Sequence, residues 1–285
     1  MTRIAIGSGM MRGNDSRRDS PNDLWTPGAV TMPPEKNHQE SLEEARSLLA
    51  GSAGTVSFSG AGLSAESGIA TFRDAQTGLW ARFDPMTLAS AEGFARDPGL
   101  VTEWYRDRRR AIARAAPNPA HRALAAREEI EHITQNIDDL LFRAGADPAR
   151  IVSLHGTMTR DRCHRHCGYE EEVDMRDPPG VRPCPQCGEE LRPSVVWFGE
   201  MLPAEAWEKA DWLCRNCEVL LVIGTSAVVY PAAALISVAH DAGAKIIVVN
   251  TQSSDASALA DVEIIGRAGE IVPKLLQSPP GRGRA

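Results

Sequence analysis

Apolar residues fall into two rhythms along this chain. Short β-rich or near-continuous apolar runs occur at Thr55–Ser59, Glu131–Thr134, Ile151–Leu154, Val195–Phe198, Val219–Ile223, Ile246–Val249 and Val262–Ile265. Each has the length and composition of a strand. Between several of them the period lengthens to that of a helix, around Pro203–Leu213, Pro231–Ala242 and Gly269–Leu276. A further helix is expected upstream, where Leu42, Ala45, Leu48 and Leu49 form one stripe. Ser41 with Glu44 offers a capping box for its start, and Gly51 its end. Strands apolar on both faces, alternating with helices, predict an α/β fold: a Rossmann-like, doubly wound parallel sheet covered on both sides.

Three stretches break the alternation. Residues 1–38 are polar, rich in Pro, Gly, Asp and Arg, and aperiodic, so a disordered extension is expected. Leu79–Ala116 reads as a helical insert and Asp161–Pro193, short of core residues, as a small second insert. The expected organisation is a catalytic domain over 39–277, with Rossmann parts at about 41–78, 117–160 and 194–277. The helical insert takes about 79–116, a metal-held insert about 161–193, and a disordered tail 278–285.

The 285 residues suffice for such a domain. A net charge of −7 argues against a general nucleic-acid role. No apolar run approaches bilayer length and the start lacks a secretory h-region, so a cytoplasmic protein without membrane partners is expected.

Four of the six cysteines lie in the second insert as Cys163-x3-Cys167 and Cys184-x2-Cys187. Two close pairs at that separation suit a tetrahedral zinc ribbon, the metal replacing a core the insert is too small to form. With four ligands the ion is structural. His164 is an alternative ligand, giving one histidine and three cysteines. Cys214 and Cys217 have no second pair and read as buried packing.

Ligands of doubly wound sheets bind beyond the carboxyl ends of the strands. Here those ends deliver Gly60-Ala61-Gly62, Gln135-Asn136-Ile137-Asp138, His155-Gly156, Gly224-Thr225-Ser226 and Asn250-Thr251. Five such ends predict one cleft. Gly-x-Gly after a strand lets the backbone approach a pyrophosphate. Thr71-Phe72-Arg73-Asp74 offers an aromatic and a guanidinium as a lid. His155, at the cleft edge, has the chemistry of a general base.

Gly60–Asp74, Thr134–Asp138, Leu154–Thr157, Val196–Glu200 and Gly224–Pro231 together resemble the sirtuins, NAD-dependent protein-lysine deacylases, in family order from Leu42 to Leu276. The resemblance implies NAD as co-substrate and acylated lysine peptides as partners, in an enzyme expected to be monomeric. The acyl-lysine amide oxygen would attack the nicotinamide ribose. His155 would then help deprotonate a ribose hydroxyl, giving free lysine, nicotinamide and O-acyl-ADP-ribose. Asn136 and Asp138 would serve the nicotinamide end. NAD contacts are carried over to Gly60, Ala61, Gly62, Ser64, Ala65, Thr71, Phe72, Arg73, Gln135, Ile137, Gly224, Thr225, Ser226 and Asn250. Val196, Phe198, Gly199 and Val229 would flank the substrate peptide.

Val101, Trp104, Tyr105, Arg108 and Ile112 share one helix face, where an arginine is costly without an anion. Arg106, Arg109 and Arg110 lie on other faces and are expected to be solvated. Tyr-x-x-Arg, with Ala89 as a small pocket wall, resembles the sirtuins that remove succinyl, malonyl or glutaryl groups. A preference for acidic acyl-lysines, with weaker deacetylation, is therefore expected. The alternatives are plain deacetylation, ADP-ribosyl transfer, or a non-catalytic NAD-binding or zinc-ribbon adaptor.

Overall fold

The computed structural model describes residues 5–6, 37–69 and 84–277. Its centre is a six-stranded parallel sheet. The strands are β2 (Thr55–Ser59), β3 (Glu131–Thr134), β4 (Ile151–Ser153), β8 (Val219–Ile223), β10 (Lys245–Asn250) and β11 (Val262–Ile265). Their order across the sheet is β11-β10-β8-β2-β3-β4. All neighbouring pairs run parallel. The order reverses between β2 and β8, so the crevice for a ligand opens there.

Alternation along each strand builds two cores. Leu220 and Val222 point with Ile246 and Val248 to one face, where α8 (Ala204–Asn216) and α9 (Ala234–Asp241) cover them. Val219, Leu221 and Ile223 point with Ile247 and Val249 to the other. There α1 (His38–Gly51), α6 (Pro119–Ala125) and α10 (Ala268–Leu276) close the layer. Every residue of β8 is buried, as both-sided coverage requires. α1 begins a turn earlier than the Ser41 box predicts. Asn37 caps it in a capping box with Glu40, and Ser41 is buried inside the helix.

Gly62–Ala65 forms the short α2, and Leu140–Arg143 forms α7. The helical insert comprises α3 (Pro85–Leu88), α4 (Ala91–Arg96) and α5 (Pro98–Arg114). Asp97 caps α5, its side chain accepting from the Leu100 amide, with Pro98 in the first turn. The second insert is a three-stranded antiparallel sheet ordered β6-β5-β7, from β5 (Gly156–Cys163), β6 (Glu170–Glu172) and β7 (Leu191–Val195). The run Val195–Phe198 therefore does not form a strand of the main sheet. Its first residue ends β7, and Phe198 makes one parallel bridge to Ser90. A two-residue ribbon pairs β1 (Ala5–Ile6) with β9 (Val229–Tyr230), antiparallel. Among the described residues no helix is long and apolar enough to cross a membrane.

Candidate active site and metal centre

The loops after β2 and β8 cross at van der Waals contact. The Gly60 amide donates to the Ile223 carbonyl at 2.9 Å and the Gly62 amide to the Gly224 carbonyl at 2.8 Å. A Cβ on Gly62 would lie 2.6 Å from the Gly224 Cα, and Gly224 itself has φ +59. These glycines are thus fixed first by backbone crossing backbone, which opens the space over the sheet's tips. Ala61 accepts the Ser64 amide and Ala65 the Gly68 amide as α2 turns away.

Around that space the polar groups interlock. Gln135 Nε2 donates to Thr225 Oγ1 at 3.1 Å, and Asn250 Nδ2 donates to the Thr225 carbonyl at 2.9 Å. Ser226 follows, half-buried. Ser64 Oγ donates to Asp138 Oδ2 at 2.8 Å and accepts from Asn136 Nδ2 at 3.3 Å. Asp138 Oδ1 accepts the Leu140 amide at 3.1 Å. Burial pushes the Asp138 carboxyl up, opposed by those two hydrogen bonds. The Ile137 carbonyl takes the Met158 amide, tying the loop after β3 to β5.

His155 stands just beyond β4. Its Nδ1 lies 2.9 Å from the Gln135 carbonyl oxygen. A carbonyl only accepts, so Nδ1 carries the proton and Nε2 the lone pair. Nε2 is buried and has no hydrogen-bond partner among the described residues. Burial pushes the imidazole below its ordinary pKa, so it is neutral at pH 7. An unpartnered, unprotonated ring nitrogen in a cleft is a base awaiting a donor.

α5 and the stretch after β7 meet in a buried aromatic cluster. Ala89, Trp104, Tyr105 and Trp197 are buried in one cluster. Trp197 Nε1 donates to the Tyr105 hydroxyl at 2.8 Å. The Arg108 guanidinium sits 4.9 Å from the centre of the Trp104 ring, and its buried Nε has no partner among the described residues. Among the described residues it makes no ion pair. Burial lowers its pKa, partly offset by Tyr105 and Asp138. Its neighbour departs from expectation. Arg109 is not solvated: it is 2% exposed and donates to Asp161 Oδ1 at 2.7 Å and to the Met158 and Arg160 carbonyls. α5 buries two faces, one in this aromatic cluster and one against β5.

The Val196 amide donates to the His155 carbonyl and the Phe198 amide to the Ala89 carbonyl, both at 2.9 Å. Gly199 turns with φ +84. Val229, packed on the same core as Val196 and Phe198, lies in β9, whose pairing with β1 shows an edge that accepts an antiparallel strand.

In the small sheet, the Sγ atoms of Cys163, Cys167, Cys184 and Cys187 all lie within 4.8 Å of one another. Cys163 and Cys187 are 3.3 Å apart, and Cys167 and Cys184 3.6 Å. Four thiolates converging on one point fit a tetrahedral zinc ion with no open position. His164 is not among these groups. Its ring packs 5.0 Å from Phe94 and 6.3 Å from Trp197, which corrects the alternative ligand set. Cys214 and Cys217 are buried apart from the cluster.

Thr71, Phe72 and Arg73 lie outside the described residues. Two features are not evident from the sequence. Arg192, fully buried, stacks 3.9 Å over Trp197 and pairs with Glu200. His121 sits behind Ser64, signalled only by the spacing Asn118-x-x-His121.

The Sir2 family pattern matches residues 60–231. The chain is 47% identical over 243 residues to "NAD-dependent protein deacylase 2" of Pyrobaculum aerophilum, spanning 83% of this chain and 95% of that protein. It resembles the crystal structure of a Sir2 homologue in complex with NAD at TM-score 0.77 and 41% identity, covering 82% of this chain and 92% of the other. It also resembles a Sir2 protein bound to a myristoylated histone peptide at TM-score 0.68 and 35% identity, covering 84% and 95%.

Proposed function

The chain belongs to the Sir2 family, and we propose that as an NAD-dependent protein deacylase it prefers succinyl- and malonyl-type lysine modifications, with weaker deacetylation. One observation carries the preference: among the described residues the Arg108 guanidinium beside Tyr105 makes no ion pair and its buried Nε has no partner, with Asp138 acting on it only at longer range. A cation on an apolar face without a directly paired counter-charge is costly, and a carboxylate at the end of an acyl chain would relieve it through two parallel hydrogen bonds. Ala89 is the small side chain of the same cluster, the wall the acyl chain would pass, and Trp104 backs the guanidinium.

When bound, NAD supplies a nicotinamide ribose that exchanges its base for the acyl-lysine oxygen. The chain's residues do the rest. Asp138 and Asn136 hold the carboxamide of the leaving base. Gln135, Asn250, Thr225 and Ser226 fix the ribose and phosphates, over the space that Gly60, Gly62 and Gly224 keep open. His155 Nε2 would take a proton from a ribose hydroxyl, whose oxygen then bonds the acyl carbon. The C–N bond to lysine breaks as the amine takes up a proton, and one water supplies the acyl oxygen left on the sugar, giving free lysine and the O-acyl sugar. The substrate backbone runs between Val196–Gly199 and Val229, held by main-chain hydrogen bonds. The pairing of β1 on β9 supports that edge as a strand acceptor. Positioning and exclusion of water supply most of the rate.

Matched succinyl and acetyl peptides, assayed with NAD by product mass spectrometry, test the preference. Arg108→Met should lose about tenfold or more of desuccinylation, the worth of a charge-assisted pair, while deacetylation stays within about twofold. Equal loss on both peptides refutes the assignment.

A further inference from the structure

We propose that His121 is a positioning residue that acts through Ser64: it commits the single hydroxyl proton of Ser64 to Asp138. The proposal rests on the deacylase reading, in which Asp138 serves the cofactor.

The polarity of the network is set at a backbone amide. Asn118 caps α6, its Oδ1 accepting the Ala120 and His121 amides. In return the Asn118 amide lies 3.3 Å from His121 Nδ1. An amide only donates, so Nδ1 is the accepting nitrogen and the proton of the neutral ring sits on Nε2. The ring is neutral because it is 1% exposed and burial pushes its pKa down to about 4, with Arg122 adding to the effect. Nε2–H then faces Ser64 Oγ at 3.3 Å.

Ser64 Oγ has two lone pairs and one proton. His121 Nε2–H takes one lone pair and Asn136 Nδ2 the other. Only the proton remains, and it lies on Asp138 Oδ2 at 2.8 Å. The second oxygen of Asp138 is held by the Leu140 amide. Both carboxylate oxygens are thereby fixed, and the plane of the group with them. Asn118 adds a brace, its Nδ2 donating to the Leu63 carbonyl at 2.7 Å, so α6 and α2 move as one. Without the donor on His121, the Ser64 hydroxyl is free to turn, and the buried Asp138 loses a directed partner.

A merely structural histidine would cap α6 and nothing more. Three measurements separate the two roles. First, long-range nitrogen–proton NMR of the full chain, with the signal assigned by its loss in His121→Gln, should report the Nε2–H tautomer. Second, His121→Leu should lower kcat about tenfold, the effect of one lost hydrogen bond in a charged network, with the KM for acyl peptide little changed. His121→Gln keeps an N–H near the Nε2 position and should recover most of that loss. Third, in a Ser64→Ala background, His121→Leu should cost nothing further. The Nδ1–H tautomer, or a full additional loss in the Ser64→Ala background, overturns the proposal. Failure of the deacylase reading shows separately, as a wild-type chain that releases no nicotinamide with acyl peptide. The tautomer still decides the role of His121 in that case.

Discussion

Trp197 hands its indole proton to the Tyr105 hydroxyl at 2.8 Å, so the phenol oxygen is already an acceptor and its own proton remains to be given. Burial pushes the phenol up to about 12, so at neutral pH it is a donor only toward an outside acceptor. Tyr105→Phe should therefore raise the KM for succinyl peptide about fivefold to tenfold and leave the KM for acetyl peptide nearly unchanged. Steady-state kinetics on the two peptides checks this.

In the proposed mechanism the imidazole of His155, whose Nε2 has no partner among the described residues, is the base of the reaction. His155→Ala should lower kcat by roughly two to four orders of magnitude while circular dichroism stays unchanged. Because burial holds the pKa below 6.5, the acid limb of the wild-type rate profile should fall below that value. An acid limb above it would point to another group.

Crossing glycines leave no space for a methyl group. Gly62→Ala puts a Cβ 2.6 Å from the Gly224 Cα, so the loops must part. The cost should be about 1–3 kcal/mol, with NAD affinity reduced, read by thermal melts with and without NAD.

Two buried histidines should make the fold acid-labile. Burial pushes both His121 and His132 down to about 4 from 6.5. Between those values the unfolded chain binds protons that the folded chain refuses. Stability is thus full above pH 6.5 and drains as pH falls toward 4, by up to about 3 kcal/mol for each group. His132→Asn should lower the slope of stability against pH in that window, with His121 and the likewise depressed His155 supplying the remainder. Denaturant titrations at several pH values give the slope, and an unchanged slope would clear His132.

The metal centre stands in for a core. Besides Cys163 and Cys184, the insert's own cluster buries only Leu191. A strong chelator should therefore melt the β5–β6–β7 sheet, and Cys184→Ser should yield chain with less than one zinc per molecule. Elemental analysis and the thermal melt measure both.

Fold and site are legible in the sequence where one physical signal dominates. β8 is apolar at every position because both faces are covered, and two close cysteine pairs in a segment without a core point to a metal. His155 stands out by its place at a strand end. The departures share a cause: two local patterns compete. Asn37-x-x-Glu40 and Ser41-x-x-Glu44 are both capping boxes, and the earlier wins because Ser41 faces the core. Val195–Phe198 has strand composition, but the turn at Gly199 and the bridge to Ser90 bend it away from the main sheet. Arg109 is misplaced by a search for a single stripe on α5, since tertiary contact with β5 buries a second one. His121 stays hidden because its spacing normally carries Glu or Gln.

The zinc-bearing excursion leaves the main body at Gly156 and returns at Val195, and those two residues sit side by side as ladder partners. The Val196 amide then fastens to the His155 carbonyl. Departure and return through one doorway mean that the far end of the excursion, between Cys163 and Leu191, joins the imidazole's stretch of chain only through paired strands. By the same token a jolt to that doorway reaches the reacting centre at once.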